Sequence, residues 1–142
     1  MQIRIGNKQD EASVRLLIGE TLSESGESLD LGGKDRDLRT IEIHYFGHDG
    51  VFLVAEEDRK IIAFAAAEKQ TETACLIKRL CVKREYRRQG IGTLLLRQMI
   101  SFARSLDYTD LFVDDSLRLA GAAEFFSSCR FSDTFGGFGL KL

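Results

Sequence analysis

The chain has no proline and no tryptophan, only three cysteines and two histidines, and no marked excess of one charge: 20 Lys+Arg face 22 Asp+Glu over 142 residues. Each shortage excludes something. Cys75, Cys81 and Cys129 are odd in number, sit in apolar surroundings and form no C-x-x-C pair. They read as reduced thiols, not as a disulfide framework or a zinc site, and no metal centre is expected. The longest purely apolar run, 61–67, falls far short of the ~20 residues of a membrane-spanning helix. The start, Gln2-Ile3-Arg4-Ile5 followed by Lys8, Asp10 and Glu11, has no apolar signal core. A formal net charge of −2 and a pI near 5.7 disfavour a general nucleic-acid binder. No proline, repeat or low-complexity tract marks a boundary, so 1–142 reads as one domain, with a cytoplasmic location expected. With 44% hydrophobic residues the chain has material for a core.

Periodicity is plentiful. Alternation over 2–5 predicts a first strand. Val14, Leu17, Ile18 and Leu22 fall at helical spacing and predict a helix over 8–24. The glycine-bearing stretch 25–34 reads as loop, and 35–46, with Leu38, Ile41 and Tyr45, as a shorter helix. Apolar runs at 51–55 and 61–67 around charged residues predict a hairpin, without the Asn-Gly or Asp-Gly of a tight turn. Residues 73–82 form a third strand of this meander. The clearest helix spans 94–106, with Leu95, Met99, Phe102 and Leu106 on one face. A short strand at 111–113, a helix over 117–128 and two last strands around a glycine turn complete the order. Meander first, strand–helix–strand crossover later, predicts a mixed sheet with helices on its faces.

One stretch carries chemistry. Residues 78–88 gather Lys78, Arg79, Lys83, Arg84, Arg87 and Arg88 against a single acid, Glu85. In an otherwise acidic chain this points to a local anionic ligand. Gln89-Gly90-Ile91-Gly92-Thr93 follows, directly before the best helix. Glycines between a strand end and a helix start let main-chain N–H groups converge on an anion, and the helix dipole reinforces them. A diphosphate suits such a place. The Rossmann pattern fails, because its third glycine position is Leu95, and the Walker pattern fails, because no lysine follows Gly92.

Arg87-x-x-Gly90-x-Gly92, set between Leu80-Cys81-Val82 and an amphipathic helix, resembles the acetyl-CoA pyrophosphate loop of the GNAT superfamily of N-acyltransferases. Val54-Ala55-Glu56, Ile77 to Val82, Leu111-Phe112-Val113-Asp114 and Ala122 to Phe126 resemble further strands and the last helix of that family. The resemblance implies an α/β (α+β) GNAT fold: a mixed, mostly antiparallel sheet of about seven strands, four flanking helices and a V-shaped splay between the fourth and fifth strands. It implies acetyl transfer from acetyl-CoA to a primary amine of a small molecule or peptide by direct attack, and a homodimer as a further expectation. Leu80, Cys81 and Val82 would pair with the pantetheine arm. Arg87, Arg88, Gln89, Gly90, Ile91, Gly92 and Thr93 would hold the pyrophosphate, mostly by main-chain N–H, with Phe126 as a wall of the cofactor site. The N–H groups near Cys81 and Val82 would polarise the thioester carbonyl. Asp114, at the carboxyl end of the fifth strand, would act as a water-mediated base.

The sequence departs from the family pattern at four points. The position of the usual strand glutamate is Leu76, and that of the tyrosine on the last helix is Phe126. The usual asparagine falls at Leu119 and a usual glycine at Arg130. These departures keep open a second reading, a module that holds acyl-CoA without catalysing transfer. His44 and His48 read as surface residues. Acids outnumber bases in 20–42, which suggests a cationic acceptor.

Overall fold

In a computed structural model of the chain, seven strands form one sheet in the order β1-β2-β3-β4-β5-β7-β6. The structure describes residues 1–114, 117, 122–134 and 137–142. β1 (Gln2–Ile5) pairs antiparallel with β2 (Val51–Glu57), which pairs with β3 (Lys60–Lys69), which pairs with β4 (Ala74–Val82). β5 (Asp110–Val113) runs parallel to β4, and β7 (Gly137–Lys141) lies antiparallel between β5 and β6 (Ser132–Thr134). The parallel step is made by the helical crossover through α3 (Ile91–Ser105).

The helix predicted over 8–24 divides into a single 3-10 turn, Lys8–Asp10, and α1 (Glu11–Ser23). Asn7 and Asp10 form a reciprocal cap: the Asn7 side chain accepts from the Gln9 N–H, and the Asp10 carboxylate accepts from the Asn7 N–H, each at 2.9 Å. The helix predicted over 35–46 shortens to α2 (Ile41–His44) between two 3-10 turns. Thr40 is extended there, with φ −144°, and the Asp35 and Asp37 side chains bond inward instead of lying along a helix. The β2–β3 turn is tight after all. Asp58 and Arg59 both have positive φ, 50° and 65°, the left-handed pair of a two-residue hairpin, without any glycine. α4 is described over Ala122–Ser128; the part of its predicted span at 118–121, Leu119 included, and the glycine of the final turn, Gly136, lie outside the described residues.

Alternation along the strands gives the sheet two apolar faces. On one, Leu53, Ala65, Cys75, Ile77, Leu80 and Leu111 pack under α3 and α4. On the other, Phe52, Val54, Phe64, Ala66 and Cys81 pack under α1 and α2. Two irregularities distinguish β4. Its register with β3 shifts between Ala66 and Ala67, so Lys78 is an extra residue, a β-bulge. Its pairing with β5 stops at Ile77, with the Asp114 N–H donating to the Ile77 carbonyl at 2.9 Å as the last rung. β5 ends at Val113, so from Lys78 onward this edge of β4 has no strand partner among the described residues; this open edge lies where the fork between the fourth and fifth strands is expected, and is called the fork below.

Candidate active site

The fork has a main-chain wall and a loop at its mouth. The bond from the Lys83 N–H to the Ile62 carbonyl (2.8 Å) fixes the alternation on β4. Cys81 therefore bonds toward β3, opposite Phe64, while the N–H and C=O groups of Leu80 and Val82 point into the fork. Beyond a 3-10 turn at Arg84–Tyr86, the chain passes through positive φ at Arg88 (63°) and again at Gly90 (82°), the residue that caps α3. This curl turns successive amides to one side. No side chain caps α3, and its first turn holds no acid. Among the described residues, the N–H groups of 88–93 meet no acceptor. A Cβ on Gly90 would have no neighbour within 4 Å, so space is open there, and one on Gly92 would stand in ordinary contact, 3.6 Å from the Phe125 ring. The α3 dipole adds to the field of these amides.

The basic stretch divides by function. Lys78 pairs with Asp114 at 2.9 Å. Arg79, half-buried, pairs with the buried Asp35 (2.9 Å) and Asp37 (2.6 Å). Arg87 donates from Nε to the Val82 carbonyl at 2.8 Å and grips Glu24, at the end of α1, with both terminal nitrogens (2.8 and 2.7 Å). That double bond holds the Glu24 carboxyl below the usual carboxylate range and raises Arg87. Lys83, Arg84 and Arg88 make no ion pair among the described residues and stay beside the loop. Arg87 thus ties the loop to α1, and its guanidinium is not turned to the space before the amides.

Two expected site residues take other roles. Phe126 is fully buried, with ring neighbours Phe125, Phe131 and Phe138 at 5.1, 5.3 and 5.9 Å, so it cannot line a cofactor site. Phe125, one position earlier on α4, is the ring that faces Gly92. Cys81 places its thiol in the core under α1, 3.2 Å from the Thr21 hydroxyl, where burial pushes the thiol up in pKa. Its amide is spent on β3, so neither its sulfur nor its main chain reaches the fork. Asp114 stands at the carboxyl end of β5, as expected, with its carboxylate on the Lys78 ammonium.

The acidic excess of 20–42 is largely used within the fold. Asp35 and Asp37 face Arg79, Glu24 faces Arg87, Glu27 pairs with Lys34, and Glu42 accepts from the Lys8 N–H. Around Asp37, burial pushes the carboxyl up, but the Arg79 guanidinium and the Tyr45 hydroxyl outweigh it and hold it below the ordinary range. His44, read from the sequence as a surface residue, has a partner in Glu68, which the sequence did not single out: His44 Nε2 lies 2.8 Å from the Glu68 carboxylate. Its signal was available. Phe64 and Ala66 face α1 and α2, and one more step of two along β3 places Glu68 on the same face.

The model of the acetyltransferase (GNAT) domain family matches residues 48–133, which contain the fork, the loop and α4. The chain belongs to the GNAT family. This GNAT chain is 30% identical over 107 residues to N-acetyltransferase 8F1 of Rattus norvegicus, a match covering 69% of this chain and 47% of that protein, so the chain spans about half the length of that relative. Its fold is that of an acetyltransferase of the GNAT family from Staphylococcus aureus Mu50 (TM-score 0.83, 20% identity, 94% of this chain and 85% of that one). It is also that of the PaiA N-acetyltransferase from Thermoplasma acidophilum, solved with coenzyme A (TM-score 0.77, 18% identity, 99% and 98% coverage). Among the described residues no helix of this GNAT chain is long and apolar enough to cross a membrane, and no cluster of three His, Cys, Asp or Glu could hold a metal ion.

Proposed function

We propose that this chain transfers an acetyl group from acetyl-CoA to a primary amine of a small molecule or peptide, by direct attack of the amine on the thioester. The observation that carries this reading is the row of acceptor-free amides at 88–93, set at the mouth of the fork between β4 and β5. The amides and the α3 dipole suit a diphosphate, and Lys83, Arg84 and Arg88 add cationic groups beside it. Leu80, and Val82 through its N–H, offer the edge of a strand to an extended arm, as in strand addition, while the Val82 carbonyl is held by Arg87. The coenzyme A bound to the Thermoplasma neighbour supports the same reading.

Acetyl-CoA supplies an activated acetyl group on a thiol of ordinary pKa, about 8.5, which leaves without much assistance. The chain's own part is to hold, orient and deprotonate. The Val82 N–H, free toward the fork, can donate to a carbonyl oxygen there. β5 ends at Val113, short of that donor, and the Lys78–Asp114 pair sits at the closed end of the fork. An alkylamine arrives mostly protonated at neutral pH and must lose a proton before it attacks.

Thermal-shift titration with acetyl-CoA, then thiol release over an amine panel, tests the reading. Stabilisation by acetyl-CoA together with amine-dependent thiol release is the expected result. Binding without turnover on any amine would assign the chain to the non-catalytic acyl-CoA module, and no binding at all would overturn the reading.

A further inference from the structure

We infer that the cavity beside the fork, on the α2 face of the sheet, is the acceptor subsite for a primary alkylammonium group, and that the His44–Glu68 pair takes the proton from it. This inference rests on the acetyl-transfer reading and names the acceptor's place within it.

The cavity has a volume of about 590 Å³ and is lined by His44, His48, Asp49, Glu68, Lys69 and Glu72, among others. It lies next to the fork. Glu68 stands opposite Leu76 on β4, and Leu76 stands opposite Phe112 on β5, one residue short of the last paired positions. The bulge then swings Lys78 back, so that its Nζ lies 4.0 Å from Glu68 and 2.9 Å from Asp114. The wall carries more carboxylate than cation. Lys69 is shared between Glu72 (3.0 Å) and Asp49 (3.9 Å), and Lys78 is shared between Asp114 and Glu68. Such a wall favours a cationic guest over an anionic one.

The histidine geometry assigns the proton's path. An ionised carboxylate can only accept, so His44 Nε2, at 2.8 Å from Glu68, carries the hydrogen. Nδ1 is then a lone-pair acceptor, and it has no partner among the described residues. Glu68 fixes the tautomer and balances the imidazolium that forms, while the Tyr45 ring holds the imidazole edge-on at 4.8 Å. The step is a proton transfer alone. One N–H bond of the guest ammonium breaks, an N–H bond forms on His44 Nδ1, and the amine keeps the electron pair with which it attacks. Solvent at the cavity mouth then collects the proton from His44.

The charged groups around His44 come from every element packed on it. Glu68 pairs with it from β3 and the Tyr45 ring packs on it, with Asp37 within electrostatic reach; Lys78 from β4 and Asp114 from β5 follow behind Glu68, Arg79 from β4 lies behind Asp37, and His48, Asp49, Lys69 and Glu72 line the same cavity.

Two measurements on the full chain test the inference. Nitrogen NMR of the imidazoles, without coenzyme, should show His44 in the Nε2–H tautomer, with its Nδ1 signal moved by 1,4-diaminobutane and not by glutamate. A different tautomer, or no response to the diamine, overturns the assignment. Kinetics with acetyl-CoA and 1,4-diaminobutane, benzylamine, lysine or glutamate then compare wild type with Glu68→Gln and His44→Gln. Both variants should lose about 10²-fold in kcat/KM for the cationic amines and should flatten the acid limb of its pH profile. Their affinity for acetyl-CoA should stay within about twofold, because neither side chain touches the loop. An unchanged profile refutes the inference and leaves acetyl transfer standing, as does acetylation of glutamate in preference to the diamine. Loss of acetyl-CoA affinity along with activity also refutes it, since the pair would then be structural. A wild type that fails to bind acetyl-CoA removes the acetyl-transfer reading, and the inference with it.

Discussion

The two faces of the sheet hold their parts of the site by different physics. Under α3 and α4 the buried set carries no charged side chain, and what lies at the fork is main chain: bare amides before α3 and the N–H groups of Leu80 and Val82 on the edge of β4. Under α1 and α2 the core closes around charge. Asp35, Asp37, Arg79 and Tyr45 are locked together there, and His44, Glu68, Lys78 and Asp114 continue the chain of contacts to the fork. Main-chain donors survive every substitution except proline and suit a ligand group that never varies. Side chains can be exchanged singly, which suits the charged face to the acceptor subsite proposed for it.

Four substitutions would break or sharpen this contrast. Gly92→Glu puts a carboxylate before the amides; acetyl-CoA binding should weaken by at least about 100-fold, while the melting temperature stays near that of wild type because the Cβ meets only ordinary contact. Calorimetric titration would show it, and unchanged affinity would remove the amide row from the site.

On the charged face, Asp37→Asn leaves Arg79 half-neutralised in the core and should cost about 3 kcal/mol in urea unfolding. The sign with pH follows from the lowered Asp37 carboxyl. Its stabilisation is complete above the unfolded value, near 3.9, and fades as pH falls through the lower folded one. The variant should therefore lose part of wild type's decline in acid, visible in unfolding midpoints between about pH 5 and 2.

Phe126→Tyr tests the apolar face. The hydroxyl would be buried among rings, so the change should cost about 1–3 kcal/mol with no gain in turnover; a rise in kcat would show that position 126 reaches the reacting atoms. The smallest effect belongs to Glu24→Gln. It loosens an exposed clamp on the loop through Arg87 and should raise the acetyl-CoA Kd about two- to fivefold, more at low salt than at high.

Much of the apolar face was readable along the chain. The positive-φ glycine, the amphipathic helix behind it and the strand before it are neighbours in sequence, and their conformations are set by local sterics. Helix phase on the last helix was not readable to one residue, so Phe126 was expected where the Phe125 ring stands, facing Gly92. Cys81 failed for a related reason: strand alternation sends its main chain to β3, and that parity follows from a bulge at Lys78 that no local pattern announces. The charged face was hardly readable, because each of its pairs joins distant segments.

The amino-acid order alone set the strand and helix sequence, the family and the place of the bare amides before α3, since propensity, periodicity and backbone freedom act over a few residues. The fork, the sorting of the basic residues and the meeting of His44 with Glu68 were decided only in three dimensions. Register, bulge and helix docking bring charges together across the sheet, and their pairing depends on distance in space.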